Sequence, residues 1–198
     1  MSPTARPSAG DGAPGLAALL RLPHAEVSRR LGLDAAQTAR WMYQAALAGV
    51  VEAQTVLGQM LLDGHGLAAH PGAARHWFAR AADAGHPPAV NMLGRCLERG
   101  WGGTPDLPRA ALHYHRAGEA GLAWGQYNLA NMLLRGRGVA RDVPRARRLF
   151  EAAAAQGHAK SMNLLGRFQE EGWTGPVDLP GAAAWYRRAA EGLSLIHI

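Results

Sequence analysis

The hydrophobic and polar positions of this chain return every 36 residues. A leucine column is followed by a column of small residues, and later in each unit come two columns rich in aromatic residues and one of alanine. The leucine column contains Leu57, Leu93, Leu129 and Leu165, and the alanine column contains Ala81, Ala117, Ala153 and Ala189. Chance does not align this many columns four times at one spacing, so the pattern indicates a tandem repeat.

Two helices are predicted in each repeat. The first ends at Gly64 or its equivalents, because glycine adopts the left-handed cap conformation without steric cost. The second begins at a segment such as Asp106 to Pro108, since Asp accepts hydrogen bonds from free amides and Pro has no amide to lose there. The first unit departs from this rule, with His70 and Pro71. The first helices are predicted over 51–63, 87–99, 123–135 and 159–171.

These helix pairs are expected to stack, since one pair cannot bury its apolar faces alone and about three or more units are needed for stability. The predicted fold class is all-α: an α/α solenoid of antiparallel helix pairs with a 36-residue period, wound as a right-handed superhelix. Glycine in mid-helix costs about 1 kcal/mol relative to alanine. The small-residue column therefore indicates a close helix crossing, at Gly58, Gly94, Ala130 and Gly166.

The domain organisation follows the repeat. Residues 1–14 are small, polar and rich in Pro and Gly, and we predict a disordered tail there. Residues 15–49 are interpreted as a degenerate capping repeat, with Asp34 as a helix cap. Four repeats are predicted over 50–85, 86–121, 122–157 and 158–192. Residues 193–198 leave the pattern and match the translation of a transposon end used in sequencing libraries, so we expect them to be non-native and the protein to continue.

Composition adds a basic balance and a single thiol. The formal net charge is +6, which permits a nucleic acid or an acidic partner but requires neither. The abundance of Arg, Ala, Gly and Pro also fits a GC-rich, bacterial genome. Cys96 is the only cysteine, which excludes an intrachain disulfide and fits a reducing compartment. Because no apolar run approaches the roughly 20 residues of a membrane helix, we expect a cytoplasmic protein without a membrane segment.

Motif residues of the third and fourth units carry a family resemblance. Gly136 to Val139 read Gly-x-Gly-Val, Asp142 follows, and Trp185 to Ala190 read Trp-Tyr-x-x-Ala-Ala. Over about residues 50–192 the chain resembles the Sel1-like repeat family, and its 36-residue period differs from the roughly 34 residues of tetratricopeptide repeats. The resemblance implies an adaptor that holds partners on a curved surface, often in bacterial signalling or envelope pathways. It implies no shared catalytic residues and no cofactor, so we do not expect an enzyme.

A variable stripe on the first helices is the predicted partner-binding surface. Positions 52, 55, 59 and 62 and their equivalents are three or four residues apart, which places them on one helical face. First helices usually line the concave side of such stacks, where repeat proteins bind partners. The alternative is an ordinary solvated helix face. A protein or peptide partner is predicted to contact Asn91, Arg95, Trp124, Tyr127, Asn131, Asn163 and Arg167.

A basic stretch from Arg135 to Arg148 supports an alternative function. It holds six arginines against one acidic residue, Asp142, and is suited to contact phosphates of a nucleic acid or an acidic partner. Binding to nucleic acid would weaken steeply with salt, whereas binding to a protein segment need not. A solvated arginine face is the commoner explanation of such a stretch.

Other reactive side chains have structural interpretations. Cys96 shares its column with Met60, Met132 and Phe168, which predicts a core position. The nine histidines include no His-Glu-x-x-His pattern, and no serine lies in Gly-x-Ser-x-Gly. We predict no metal site, while the partner's identity and the oligomeric state stay open.

Overall fold

The structure is a computed structural model, which describes residues 24–194 of the chain. It is an all-α solenoid, with ten helices and no strand in that range. The tail predicted over 1–14, and residues 195–198 of the predicted non-native tail, lie outside the described residues. The helices are α1 (His24–Leu31), α2 (Ala35–Leu47), α3 (Val51–Asp63), α4 (Pro71–Asp83), α5 (Pro87–Arg99), α6 (Leu107–Glu119), α7 (Ala123–Arg135), α8 (Val143–Ala155), α9 (Ala159–Glu170) and α10 (Leu179–Ser194).

Each helix packs chiefly against the helices before and after it, as in a stack of antiparallel pairs. The first helices of the four repeats are α3, α5, α7 and α9, and the second helices are α4, α6, α8 and α10. Apolar side chains from these helices join one continuous core, which includes the fully buried Tyr114, Phe78 and Phe150. The leading pair, α1 and α2, joins the same core through Val27 and Met42.

Local capping sets the helix bounds, as the sequence predicts. Gly64 closes α3 in the left-handed conformation at φ +69°, and the equivalent glycines close α5 and α7. Asp106 accepts a hydrogen bond from the amide of Arg109 at the start of α6. His70 takes the place of this Asp in the first repeat, and its Nδ1 accepts from the amide of Ala73 at 3.0 Å. The imidazole therefore replaces a carboxylate as the cap of α4.

The small-residue column lies where the two helices of a repeat cross. A Cβ atom built on Gly94 would lie 2.8 Å from the ring of Tyr114, and one built on Gly58 would lie 2.7 Å from the ring of Phe78. Real Cβ atoms essentially never approach a neighbour this closely, so a methyl group would displace the ring. This confirms the predicted close crossing.

A second glycine column joins each of the first three repeats to the helix pair before it, at Gly66, Gly102 and Gly138. Gly138 has φ +69°, and a Cβ atom there would lie 2.5 Å from the carbonyl carbon of Leu107, at the start of the preceding second helix. Gly102 stands in the same relation to Pro71, with 2.5 Å between the built Cβ and the Pro71 oxygen. The loop of one repeat therefore rests directly on the backbone of its neighbour.

A longer period of 72 residues, which the sequence interpretation missed, distinguishes alternate repeats. In the second repeat the Tyr114 hydroxyl donates to Glu98 Oε2 at 2.8 Å, and in the fourth Tyr186 donates to Glu170 Oε2 at 2.6 Å. The first and third repeats carry leucine and phenylalanine at the same two positions: Leu62 with Phe78, and Leu134 with Phe150. Glutamate thus occurs wherever the ring bears a hydroxyl, and the repeats alternate between a polar and an apolar form of one contact.

Candidate functional site

The predicted partner-binding residues lie on α5, α7 and α9, on the surface that we call the first-helix face. Trp124 is 45% exposed, while Arg95, Asn163 and Arg167 are also exposed, and Tyr127 is half-buried. Asn131 is half-buried as well, and its Nδ2 donates to the carbonyl of Tyr127 at 2.9 Å. Six of the seven predicted residues therefore have a side chain at least partly open to a partner.

Asn91 differs from the other six because its side chain is only 7% exposed. Its Oδ1 accepts a hydrogen bond from Asn128 Nδ2 at 2.8 Å, which links α5 to α7. An amide used in this way holds two neighbouring first helices in register, so Asn91 supports the face from beneath.

An aromatic cluster forms the apolar part of the first-helix face. The ring of His158, at the start of α9, lies 4.5 Å from Trp124 and 4.7 Å from Tyr127, centroid to centroid. Lys160 places its ammonium group 5.2 Å from the Trp124 ring, within reach of a cation–π interaction. Trp124 meets both other rings edge to face and is the most exposed of the three.

His158 is neutral at pH 7 because of where it lies. Burial, with a smaller contribution from nearby Lys160, lowers the pKa of His158 to about 4. Its Nδ1 accepts from the Ser161 amide at 3.3 Å, which caps α9, and its Nε2 is buried without a hydrogen-bond partner among the described residues. A neutral imidazole keeps the cluster apolar, which suits contact with an apolar side chain of a partner.

Two arginines of the face are held by tryptophans from the loops that follow their helices. Arg95 lies over the ring of Trp101, and Arg167 lies over the ring of Trp173, each with 5.2 Å between the guanidinium carbon and the ring centroid. Arg167 also donates to Glu171 at 2.9 Å, and this hydrogen bond lowers the pKa of that carboxyl. The sequence interpretation missed both tryptophans, although the 72-residue spacing of the two Arg and Trp pairs is visible in the chain.

The basic stretch from Arg135 to Arg148 does not form a single face. Arg135 and Arg137 line a pocket on the first-helix side together with Tyr127. Arg145 and Arg148 line pockets between second helices, next to His115. Arg147 donates to Glu151 and Thr174 and is half-buried. The surface predicted as the alternative site is therefore divided between opposite sides of the helix pair.

An apolar groove opens on the second-helix side at the leading end. It has a volume of about 540 Å³, is lined by α2, α3 and α4, and includes Tyr43, which is 45% exposed, and Trp77. A similar groove of about 370 Å³ lies 72 residues further on, between α6 and α8. At the equivalent place in the repeat between these two grooves, the Arg75 guanidinium lies against Gly103.

The comparison with known proteins decides the family. The model of the Sel1 repeat matches five segments of the chain, at residues 29–50, 51–86, 87–122, 125–158 and 159–192. The chain belongs to the Sel1 repeat family. No curated protein sequence matches it.

Solved structures of Sel1 repeat proteins share the fold. The Escherichia coli protein c5321, a protective antigen of uropathogenic strains with an SLR fold, is 32% identical with a TM-score of 0.72, over 88% of this chain and 39% of c5321. The chain thus spans about two fifths of c5321. A Sel1 repeat protein from Oxalobacter formigenes is 22% identical with a TM-score of 0.77, over 84% of this chain and 69% of that one. A sel1 repeat protein from Klebsiella pneumoniae is 26% identical with a TM-score of 0.60, over 77% and 73%.

Two further reactive groups of this Sel1 repeat chain, Cys96 and His86, are held within the helix stack. Cys96 is fully buried, as predicted, and burial raises the pKa of its thiol to about 11. His86 shares a hydrogen bond with Thr55 of the preceding repeat at 2.9 Å, and burial lowers its pKa. Within residues 24–194, no three His, Cys, Asp or Glu side chains are grouped closely enough to hold a metal ion. None of the helices described there is long and apolar enough to cross a membrane.

Proposed function

We propose that this protein is an adaptor that holds a peptide or protein segment on its first-helix face. Sel1 repeat proteins are in general protein-interaction scaffolds, and the features of this face support it as the surface for that role in this chain. The observation that carries the proposal is the aromatic cluster in which the exposed Trp124 packs with the half-buried Tyr127 and the neutral His158. We propose this face as the concave side of the solenoid and the cytoplasm as the compartment.

The residues around the cluster suit protein recognition. Trp124 offers a large aromatic surface, and tryptophan, tyrosine and arginine are the residue types that most often dominate binding energy at interfaces. Arg95 and Arg167 are stacked on tryptophans, so less side-chain freedom is lost when they bond a partner. Asn131 and Asn163 supply amide groups for main-chain hydrogen bonds of a bound segment. We assign no catalytic role to any of these groups.

The test is a pulldown from the native host with a face variant and a matched control. The face variant carries Arg95→Ala, Trp124→Ala and Asn131→Ala, and it leaves the buried Asn91 unchanged so that the fold is preserved. The control carries Leu112→Ala, Arg116→Ala and Arg148→Ala, on the exposed surface of the second helices. Circular dichroism confirms that all proteins are folded.

The proposal predicts a partner that the parent and the control retain and the face variant loses. Retention by the face variant, or an equal loss from both variants, would exclude the first-helix face as the site. Nuclease treatment runs in parallel, and a loss of all binding after it would favour the nucleic-acid alternative.

A further inference from the structure

Two adjoining pockets lie along the first-helix face, and together they are called the first-helix trough. The first has a volume of about 200 Å³ and lies between α5 and α7, and the second, of about 350 Å³, lies between α7 and α9. They share the lining residues Asn131 and Arg135, so the two pockets adjoin at α7. The charged and amide side chains lining this first-helix trough are Glu98, Arg99, Asn128, Asn131, Arg135, Arg137, Arg141 and Arg167.

The trough is strongly basic, since five arginines line it and Glu98 is the one acidic lining residue. The charge of Glu98 is already engaged, because it accepts from Tyr114 at 2.8 Å and pairs with Arg137 at 3.2 Å. Arg167 is paired with Glu171. The trough therefore has an excess of positive charge that its own carboxylates do not neutralise.

Arg99 and Arg135 are the two arginines of the trough with no hydrogen bond or ion pair among residues 24–194. They occupy equivalent positions at the ends of α5 and α7, and both are exposed. An arginine without a local partner keeps its five donors for a carboxylate, which it can bind in bidentate geometry. The two guanidinium groups thus mark two places where a ligand's negative charge would be stabilised.

We propose that the trough binds an acidic peptide segment, with carboxylates of its Asp or Glu side chains at Arg99 and Arg135. This inference rests on the proposed function and adds the chemistry of the partner. The bond between Asn91 and Asn128 brings α5 beside α7, which sets a spacing of about 10 Å between successive first helices. An extended chain advances about 3.3 Å per residue, so roughly six residues cross from α5 to α9. Asn128 and Asn131 line the same pocket as the two arginines, where amides can bond the main chain of such a segment.

A peptide fits the trough better than a nucleic acid does. A phosphate backbone carries a charge at every nucleotide and would bring some of these charges beside Glu98, which lines the trough. A peptide can instead place its acidic residues at the arginines and a neutral residue beside this carboxylate. The aromatic cluster next to the trough gives an apolar side chain of the same segment a place to pack.

The test selects peptides from a random library of about ten residues, long enough to span the trough, on the full chain and on two variants. The trough variant is Arg99→Ala with Arg135→Ala. The matched control is Arg145→Ala with Arg148→Ala, which removes the same charge from the second helices. The most enriched peptide is then titrated by fluorescence anisotropy, beside a copy with Gln and Asn in place of Glu and Asp and beside a single-stranded oligonucleotide of similar length.

The inference predicts enrichment of Asp and Glu, and a copy with amides that binds at least about tenfold more weakly because charge-assisted bonds are lost. The trough variant should lose about tenfold in affinity and the control less than about twofold. Enriched peptides without acidic residues, or equal loss in both variants, would overturn the inference and leave the proposed function standing. If no peptide is enriched, the inference and the proposed function are both wrong. Tighter binding of the oligonucleotide than of any peptide would show that the trough binds a nucleic acid instead.

Discussion

Tyr114 is fully buried and its hydroxyl has one acceptor, Glu98, so the two residues are expected to be energetically coupled. Tyr114→Phe alone removes the donor, while Glu98→Leu alone leaves a buried hydroxyl without a partner, and each should destabilise the fold by about 1–3 kcal/mol. The double variant recreates the Leu–Phe pair of the first and third repeats and should cost clearly less than the sum of the single changes. Urea denaturation of all four proteins measures this coupling, and additive effects would contradict it.

His158 should make stability depend on pH in a defined window. Its pKa in the folded protein is about 4, below the ordinary value of 6.5, so the unfolded chain binds a proton more readily than the folded one. The contribution of the neutral imidazole to the free energy of unfolding is therefore complete above about pH 6.5 and is lost as the pH falls towards 4. The variant His158→Asn keeps a capping group and does not titrate, so its thermal midpoint should fall less between pH 7 and pH 4.5 than that of the parent. Identical falls would show that His158 is not the source.

At the scale of the element, the loop glycines test how repeats are joined. Gly138→Ala combines a strained positive φ with a clash against Leu107, whereas Gly121→Ala has the same kind of φ with no atom within 4 Å of the new methyl group. The φ strain costs roughly 1–2 kcal/mol in both variants, and the clash should add about 1–3 kcal/mol at Gly138 alone. Thermal unfolding of the two variants isolates the contact between repeats, and equal midpoints would show that it contributes nothing.

The helices were predictable because their ends are decided locally. Gly64, Gly100 and Gly136 end the first helices where the sequence places them, since a left-handed residue is needed there whatever surrounds it. The fourth first helix is one residue shorter than predicted: α9 ends at Glu170, and Gly172 takes up φ +65° two residues later. Local capping thus fixes the bounds of the elements to within a residue.

The candidate site was only partly predictable because its geometry depends on neighbouring repeats. Asn91 belongs to the variable stripe, yet its bond to Asn128 of the next repeat buries it. Trp101 and Trp173 lie in loops outside the helical pattern, and their role is visible only once each is seen beneath an arginine. Helical spacing gives the face on which a residue lies, whereas contact with the adjacent repeat decides whether its side chain is available.

At the scale of the whole molecule, the stack repeats a polar and an apolar version of one unit. The second and fourth repeats carry the Glu–Tyr bond and the arginine over a tryptophan, while the third, between them, carries Trp124 and Tyr127. A segment bound along the first-helix face would therefore meet charged positions on both sides of an apolar centre. The grooves between second helices, at Tyr43 and near Leu112, lie on the other side of the helix pairs.

The most direct test of the account is photo-crosslinking at two matched positions. A benzoylphenylalanine residue replaces Asn163 on the first-helix face in one protein and Leu112, which is 57% exposed on α6, in the other. Both are irradiated in extract of the native host, and the crosslinked partner and its attached segment are identified by mass spectrometry. The account predicts a partner crosslinked from position 163 and not from position 112. Crosslinking to the same partner from position 112 alone would contradict it.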